Sequence, residues 1–201
     1  MNALLNVTVP FILASQSPRR RALLEQIGAS FRVQVSPADE QIEESLSPEE
    51  TARRLADRKA QPVSRDHPSA LVLAADTIVA HRGDLLEKPD TPQQARDMLR
   101  RLSNSTHTVY TGLALHHADT DRAVVTGQAT DVTFGTLDEA EIEAYVATKS
   151  PMDKAGGYGI QDHTAPLFID HLEGDYYNVV GLPLRRLYLT VRKEFSDLSS
   201  T

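Results

Sequence analysis

Apolar runs and alternating stretches divide the chain into a legible succession of strands and helices. Residues Val7 to Ala14 form an apolar run rich in strand formers. It breaks at Ser15-Gln16-Ser17-Pro18, where Ser17 is placed to cap a helix and Pro18 suits its first position. The predicted helix carries Leu23, Leu24 and Ile27 on one side, stops at Gly28, and is followed by a predicted strand from Phe31 to Val35. Three more helix starts, at Ser47-Pro48-Glu49-Glu50, Thr91-Pro92-Gln93-Gln94 and Thr136-Leu137-Asp138-Glu139, set a hydroxyl cap ahead of Glu or Gln. Ala70 to Ala75 reads as a buried strand that Asp76 interrupts, and Thr77 to Ala80 as another. Thr108 to His116 and Ala123 to Phe134 predict an antiparallel pair around the polar turn at Asp119 to Asp121. Leu167 to Leu172 then reads as a strand and Leu184 to Phe195 as a closing helix, with Ser196 to Thr201 expected to fray. Helices alternate with strands, but a hairpin intervenes, so the pattern predicts an α/β fold on a mixed rather than purely parallel sheet.

Composition narrows the class. With 201 residues, 40% of them hydrophobic and 24% charged, the chain can bury one sizeable core, expected to span about residues 7–195 of a single domain. The absence of cysteine excludes a disulfide scaffold, a zinc–thiolate site and thiolate catalysis. A net charge of −7 argues against a general grip on nucleic acid, which is driven by counterion release from many phosphates. No basic leader precedes a long apolar run, and no stretch approaches the ~20 apolar residues of a membrane span. The expectation is a soluble, cytoplasmic protein with neither nucleic acid nor membrane as partner.

Chemistry concentrates in a few places. Ser15, Arg19, Arg20 and Arg21 sit at a strand-to-helix junction, where free backbone amides and the positive end of the helix dipole favour an anion. Three arginines there would equally suit a solvated face, although they oppose the dipole unless an anion lies between. Asp76 stands in otherwise apolar Ala74-Ala75-Asp76-Thr77-Ile78-Val79, and burial demands a partner, a hydrogen bond or a metal for it. It could serve a phosphoanhydride hydrolase as base or Mg²⁺ ligand, or simply cap a turn or pair with an arginine. Lys59, Lys88 and Lys154 are weak signals singly. The run from Lys154 to Gln161 contains Gly156, Gly157 and Gly159, which allow a backbone to approach a ligand closely, but it lacks the ending of a Walker loop. The seven histidines, His116-His117 included, read as solvent or packing residues, and no Gly-x-Ser-x-Gly elbow supports a serine hydrolase.

Taken in order, Leu13-Ala14-Ser15-Gln16-Ser17-Pro18-Arg19-Arg20, Ala75-Asp76-Thr77, Lys88-Pro89, Asp153-Lys154-Ala155-Gly156, Tyr158-Gly159-Ile160-Gln161 and Gly181-Leu182-Pro183 resemble the Maf family of nucleotide pyrophosphatases, over about Phe11 to Phe195. The resemblance implies a two-lobed α/β fold of the inosine triphosphatase type: a twisted mixed sheet with flanking helices, a nucleotide in the cleft between lobes, and commonly a homodimer. It implies hydrolysis of dTTP and UTP, with CTP or modified pyrimidine nucleotides as further candidates, to the monophosphate and pyrophosphate. In that reading Asp76 is the base or metal-linked carboxylate and Glu40 its partner at a divalent cation, Mg²⁺ or Mn²⁺. Ser15, Arg19, Arg20, Lys59, Lys88 and Lys154 hold the triphosphate, and Arg19, Thr77 and Gln161 set the dTTP and UTP preference. Gln161 suits a pyrimidine edge because its amide both donates and accepts. The chain departs from the family pattern at Glu87 and Asp162, each where Gly is usual, and at Gly157 in place of Ala, which is expected only to loosen the loop. Those two added charges leave a second reading open, a non-catalytic nucleotide sensor acting in division control.

Overall fold

Helices begin where short polar side chains can take up free backbone amides. The computed structural model describes residues 4–43 and 45–200. Its elements are β1 (Asn6–Val7), β2 (Phe11–Leu13), α1 (Pro18–Gln26), β3 (Arg32–Val33), α2 (Pro48–Asp66), β4 (Leu71–His81), β5 (Asp84–Leu86), α3 (Pro92–Leu102), β6 (Thr106–His117), β7 (Arg122–Phe134), α4 (Glu139–Ala147), β8 (Ile169–Glu173), α5 (Tyr176–Val180), α6 (Leu184–Glu194) and β9 (Ser199–Ser200). Ser17, Ser47 and Thr91 cap α1, α2 and α3 as their spacing predicts, each with Pro in the first turn. At α4 the cap is Asp138 rather than Thr136. Asp138 accepts from the Glu141 amide and Glu141 reciprocates, so the same grammar is satisfied two residues later.

Seven strands form one mixed sheet in the order β3-β2-β4-β6-β7-β8, with β5 also paired to β4. β2 runs parallel to β3 and β4, while β4, β6, β7 and β8 are successively antiparallel. The α/β class and the mixed sheet are therefore as the pattern predicts, with six α-helices flanking it. Several boundaries differ. The run from Val7 to Ala14 splits into β1 and β2 around Thr8 to Pro10, and β1 pairs with β9, so residues 199 and 200 are paired rather than frayed. Thr201 lies outside the described residues. Asp76 does not interrupt its strand: β4 runs through it without a break, pairing Asp76 with Gly112. The predicted strand at 31–35 shrinks to two exposed residues, and Leu167 belongs to a turn ahead of β8. β5 and α5 carry too few residues to leave a periodic signal.

Two apolar cores occupy different lengths of the long strands. One gathers Leu71, Leu73, Ala75, Leu113 and Leu115 with Leu23 and Leu24 of α1 and Leu187 and Val191 of α6. The other gathers Val79, Val109, Val132 and Phe134 with Ala95 and Leu99 of α3 and Tyr145 of α4. Alternation turns the even-numbered residues of the same strands, Val72, Ala74 and Ala114, toward Ala56, Ala60 and Val63 of α2. The middle of β4, residues 76–79, lies between the two cores, and the cleft forms there.

Candidate active site

The cleft opens where β4 has no neighbour on one edge. β2 pairs with β4 only as far as Leu73, and β5 takes up the same edge from Val79 onward. Asp76 and Thr77 occupy the gap and, as successive strand residues, face opposite sides. Around them close the start of α1, the segment carrying Glu40, the loop at Glu87 and Lys88, and the loop from Asp153 to Asp162. The enclosed volume is about 640 Å³, within the ~300–1,000 Å³ usual for small-molecule sites.

The start of α1 is built to receive an anion. No acidic residue lies in its first turn. Ser15 Oγ accepts from the Ser17 amide at 3.1 Å and from Arg20 Nη1 at 3.3 Å. Both lone pairs are thereby used, and the hydroxyl hydrogen is left as a donor to the cleft. Arg20 is fixed by three acceptors: the Gly181 carbonyl at 2.8 Å, Ser15, and Thr77 Oγ1 at 3.0 Å. Burial lowers the Arg20 pKa, and the charge of Asp76 opposes this only in part. A guanidinium nonetheless stays protonated, with two of its five hydrogens unspent.

The same cleft holds a carboxylate pair sharing one cation. Lys59 Nζ on α2 lies 2.5 Å from Asp76 Oδ1 and 2.7 Å from Glu40 Oε1. The hydrogen bond from Lys59 is the main reason the Glu40 pKa falls below its usual value; burial opposes it, and the charges of Lys59, Lys88 and Arg20 add to the lowering. Gly112 lets α2 come this close. A Cβ there would stand 2.2 Å from the Ala52 carbonyl oxygen and 2.6 Å from the Arg53 amide nitrogen, both backbone atoms.

Two carboxylates set around a single positive charge are hard oxygen donors suited to Mg²⁺ or Mn²⁺. Among the described residues no cluster of three or more His, Cys, Asp or Glu could cage a metal unaided. That fits Mg²⁺, which usually takes one or two carboxylates and completes its shell with water and substrate phosphate. Glu40 and Asp76 are the residues that would hold it.

The remaining predicted residues fall into two groups. Lys88 and Gln161 are exposed and line the cleft; Arg19 also lines it, its Nη1 donating to Asp153 at 3.1 Å. Lys154 lines it too, but its ammonium donates to the Ser150 carbonyl at 2.6 Å, Asp153 at 2.7 Å and Ser150 Oγ at 3.1 Å. Its three hydrogens pin the loop. Asp162 and Glu87 both line the cleft: Asp162 accepts from Tyr145 at 2.5 Å and Ser150 at 2.7 Å, while Glu87 is exposed and holds Gly156 through its carbonyl. Gly157 has φ +71°, where a side chain is strained, so it does more than loosen the loop. The histidines stay out of the cleft lining. His107 meets Tyr158, His116 meets Asp57 and His117 meets Thr120.

Sequence reasoning missed Thr111 and Asn178. Thr111 Oγ1 contacts Thr77 Oγ1 at 2.9 Å and donates to the Asn178 carbonyl at 3.0 Å; Asn178 is fully buried. A threonine in a strand carries no mark of such a role. Gly181 stands in the Gly181-Leu182-Pro183 motif, and nothing in that motif marks its carbonyl as the acceptor that holds Arg20.

Residues 10–194 match the family model of Maf-like proteins. The chain is 61% identical over 198 residues to a protein of Salinibacter ruber named dTTP/UTP pyrophosphatase, covering 98% of this chain and 97% of that one. Relatives of the same name from Bacillus cytotoxicus and Desulforamulus reducens are each 48% identical, over 94% and 89% of this chain and 97% and 93% of their own. No helix among the described residues is long and apolar enough to cross a membrane. A motif series threaded through one cleft and a match over nearly the whole length lead to one assignment: the chain belongs to the Maf family.

Proposed function

We propose that this chain hydrolyses dTTP and UTP to the nucleoside monophosphate and pyrophosphate, the activity its relatives are named for. The observation that carries the reading is a cationic helix start and a carboxylate pair lining one cleft. A helix start with the Ser15 hydroxyl and Arg20 receives phosphate, and the Asp76–Lys59–Glu40 group lines the same cleft.

Asp76 takes the proton of the attacking water as its oxygen bonds to the α-phosphorus and the bond to the bridging oxygen breaks, releasing pyrophosphate. Lys59 aims Asp76 through its hydrogen bond to Oδ1. Ser15, Arg20 and the first amides of α1 stabilise the charge that gathers on the phosphate oxygens, in place and without reorganisation. Lys88 and Arg19 extend the cationic wall toward the leaving pyrophosphate, while Lys154 acts by holding the loop. Glu40 and Asp76 would hold a divalent cation, which would supply further positive charge to those oxygens. Local cations explain how a chain of net charge −7 takes an anionic substrate. Gln161, with Arg19 and Thr77, selects the pyrimidine nucleoside. A homodimer working in the cytoplasm accords with this chemistry. Asp162 lines the cleft but spends its carboxylate on Tyr145 and Ser150, which weakens one of the two grounds for a non-catalytic sensor.

The test is to incubate the protein with Mg²⁺ and dTTP, UTP, CTP, ATP, GTP or 7-methyl-GTP and resolve the products. Monophosphate with pyrophosphate, fastest from dTTP or UTP, is the expected result. Diphosphate with phosphate, or saturable binding without product, overturns the reading.

A further inference from the structure

The hydrogen bonds behind Thr77 run in one direction only. Thr111 Oγ1 lies 3.0 Å from the Asn178 carbonyl, which can only accept, so the single Thr111 hydrogen is placed between them. Thr111 is 1% exposed, and a bare oxygen–oxygen contact at that distance in a buried site would be repulsive. The 2.9 Å contact between Thr77 Oγ1 and Thr111 Oγ1 must then be bridged by the Thr77 hydrogen. On its other side Thr77 Oγ1 accepts from Arg20 Nη2 at 3.0 Å. One lone pair remains on Thr77, and Thr77 lines the cleft. Ser15, on the other side of Arg20, has the opposite polarity: both its lone pairs are filled and only its hydrogen is free. A phosphate oxygen therefore suits Ser15 and is repelled at Thr77.

We infer that Thr111 is a positioning residue for substrate selection: by taking the Thr77 hydrogen it makes Thr77 an obligate acceptor, which recognises a hydrogen-bond donor on the nucleoside half of the substrate. This rests on the functional reading above. The triphosphate has no such donor in its ionised form. Two groups shared by thymidine and uridine nucleotides do: the ring N3–H, which cytosine replaces by a lone pair, and the 3′-hydroxyl of the sugar.

The experiment measures kcat/KM for two substrate pairs, UTP against CTP and dTTP against 3′-deoxy-dTTP, with the wild-type protein, Thr111→Val and Thr111→Ser. In the wild type the pair whose members differ in the donor that meets Thr77 shows a gap of about tenfold or more, the scale of one good hydrogen bond, and which pair shows it identifies the donor. Thr111→Val preserves shape but removes the acceptor for the Thr77 hydrogen, so that gap narrows severalfold. Thr111→Ser restores the hydroxyl and the wild-type gap. The coupling between protein variant and substrate change separates orientation from packing, because a merely structural loss lowers both members of a pair alike. An unchanged gap in Thr111→Val, or no gap for either pair in the wild type, overturns the inference. Failure of the wild type to release pyrophosphate from any nucleotide instead overturns the functional reading on which it rests.

Discussion

Gly112→Ala should damage catalysis through α2, the helix whose backbone packs directly against it. The new methyl carbon would sit 2.2 Å from the Ala52 carbonyl oxygen, 2.4 Å from its carbon and 2.6 Å from the Arg53 nitrogen. All three are backbone atoms of α2, so no side chain can swing aside, and normal contact requires α2 to retreat by about 1 Å. Overpacking of this kind costs roughly 1–3 kcal/mol. At about 2–4 °C per kcal/mol for a chain of this size, the melting temperature falls by about 2–12 °C. The larger consequence lies two turns along α2, where Lys59 aligns Asp76 and Glu40. A displacement near 1 Å of catalytic groups costs on the order of 100-fold in rate. Thermal unfolding, together with pyrophosphate release at saturating dTTP and at a temperature where the variant is fully folded, separates the two effects. A variant with wild-type melting temperature and kcat within twofold would refute the claim that close approach of α2 at Gly112 sets the carboxylate pair.

Asp76→Asn should lower turnover by roughly 10²–10⁴, the usual scale for a general base, with the circular dichroism spectrum and melting temperature retained; near wild-type hydrolysis removes Asp76 from the mechanism. Asp162→Gly releases Tyr145 and Ser150, so KM for dTTP should rise severalfold with little loss of kcat, and an unchanged KM would show that the loop holds itself. Acid should destabilise the fold through His107. Burial, with the nearby His81, pushes its pKa down to about 4, and burial with the charge of Arg82 lowers that of His81. In the unfolded chain histidine titrates near ~6.5. The stabilising contribution is thus complete above that value and is lost as pH falls toward 4; His107 alone forfeits about 2.5 kcal/mol by about pH 4.5. Urea unfolding at pH 7 and 4.5, compared with His107→Phe, measures it, and equal losses in both proteins would exclude His107.

How far the sequence could be read depended on how local the determining interaction was. The Ser17-Pro18 helix start was legible because a cap and a proline act within four residues, and the same locality revealed α2 and α3. It misled at α4, where two overlapping cap patterns competed and the carboxylate of Asp138 won. Asp76 looked like a break because a lone acid in an apolar run suggests a turn. It is instead accommodated within a continuous strand by Lys59, 17 residues earlier. The ion pair joining Asp76 and Glu40 through Lys59 left no trace in spacing, although each residue could be nominated by resemblance. Thr111 and Asn178 were invisible for the same reason: their hydrogen bonds span 34 and 67 residues along the chain. Lys154 and Asp162 could be nominated as charges near a substrate, but only the folded loop shows that they bond chiefly within the protein.

The central claim is attack of water on the α-phosphorus within the cleft between Asp76 and the start of α1. Hydrolysis of dTTP in ¹⁸O-labelled water, followed by mass spectrometry of both products, tests it most directly, because attack at the α- or the β-phosphorus gives the same two compounds. The account predicts one ¹⁸O atom in dTMP and none in pyrophosphate. Label in pyrophosphate, with unlabelled dTMP, would contradict it.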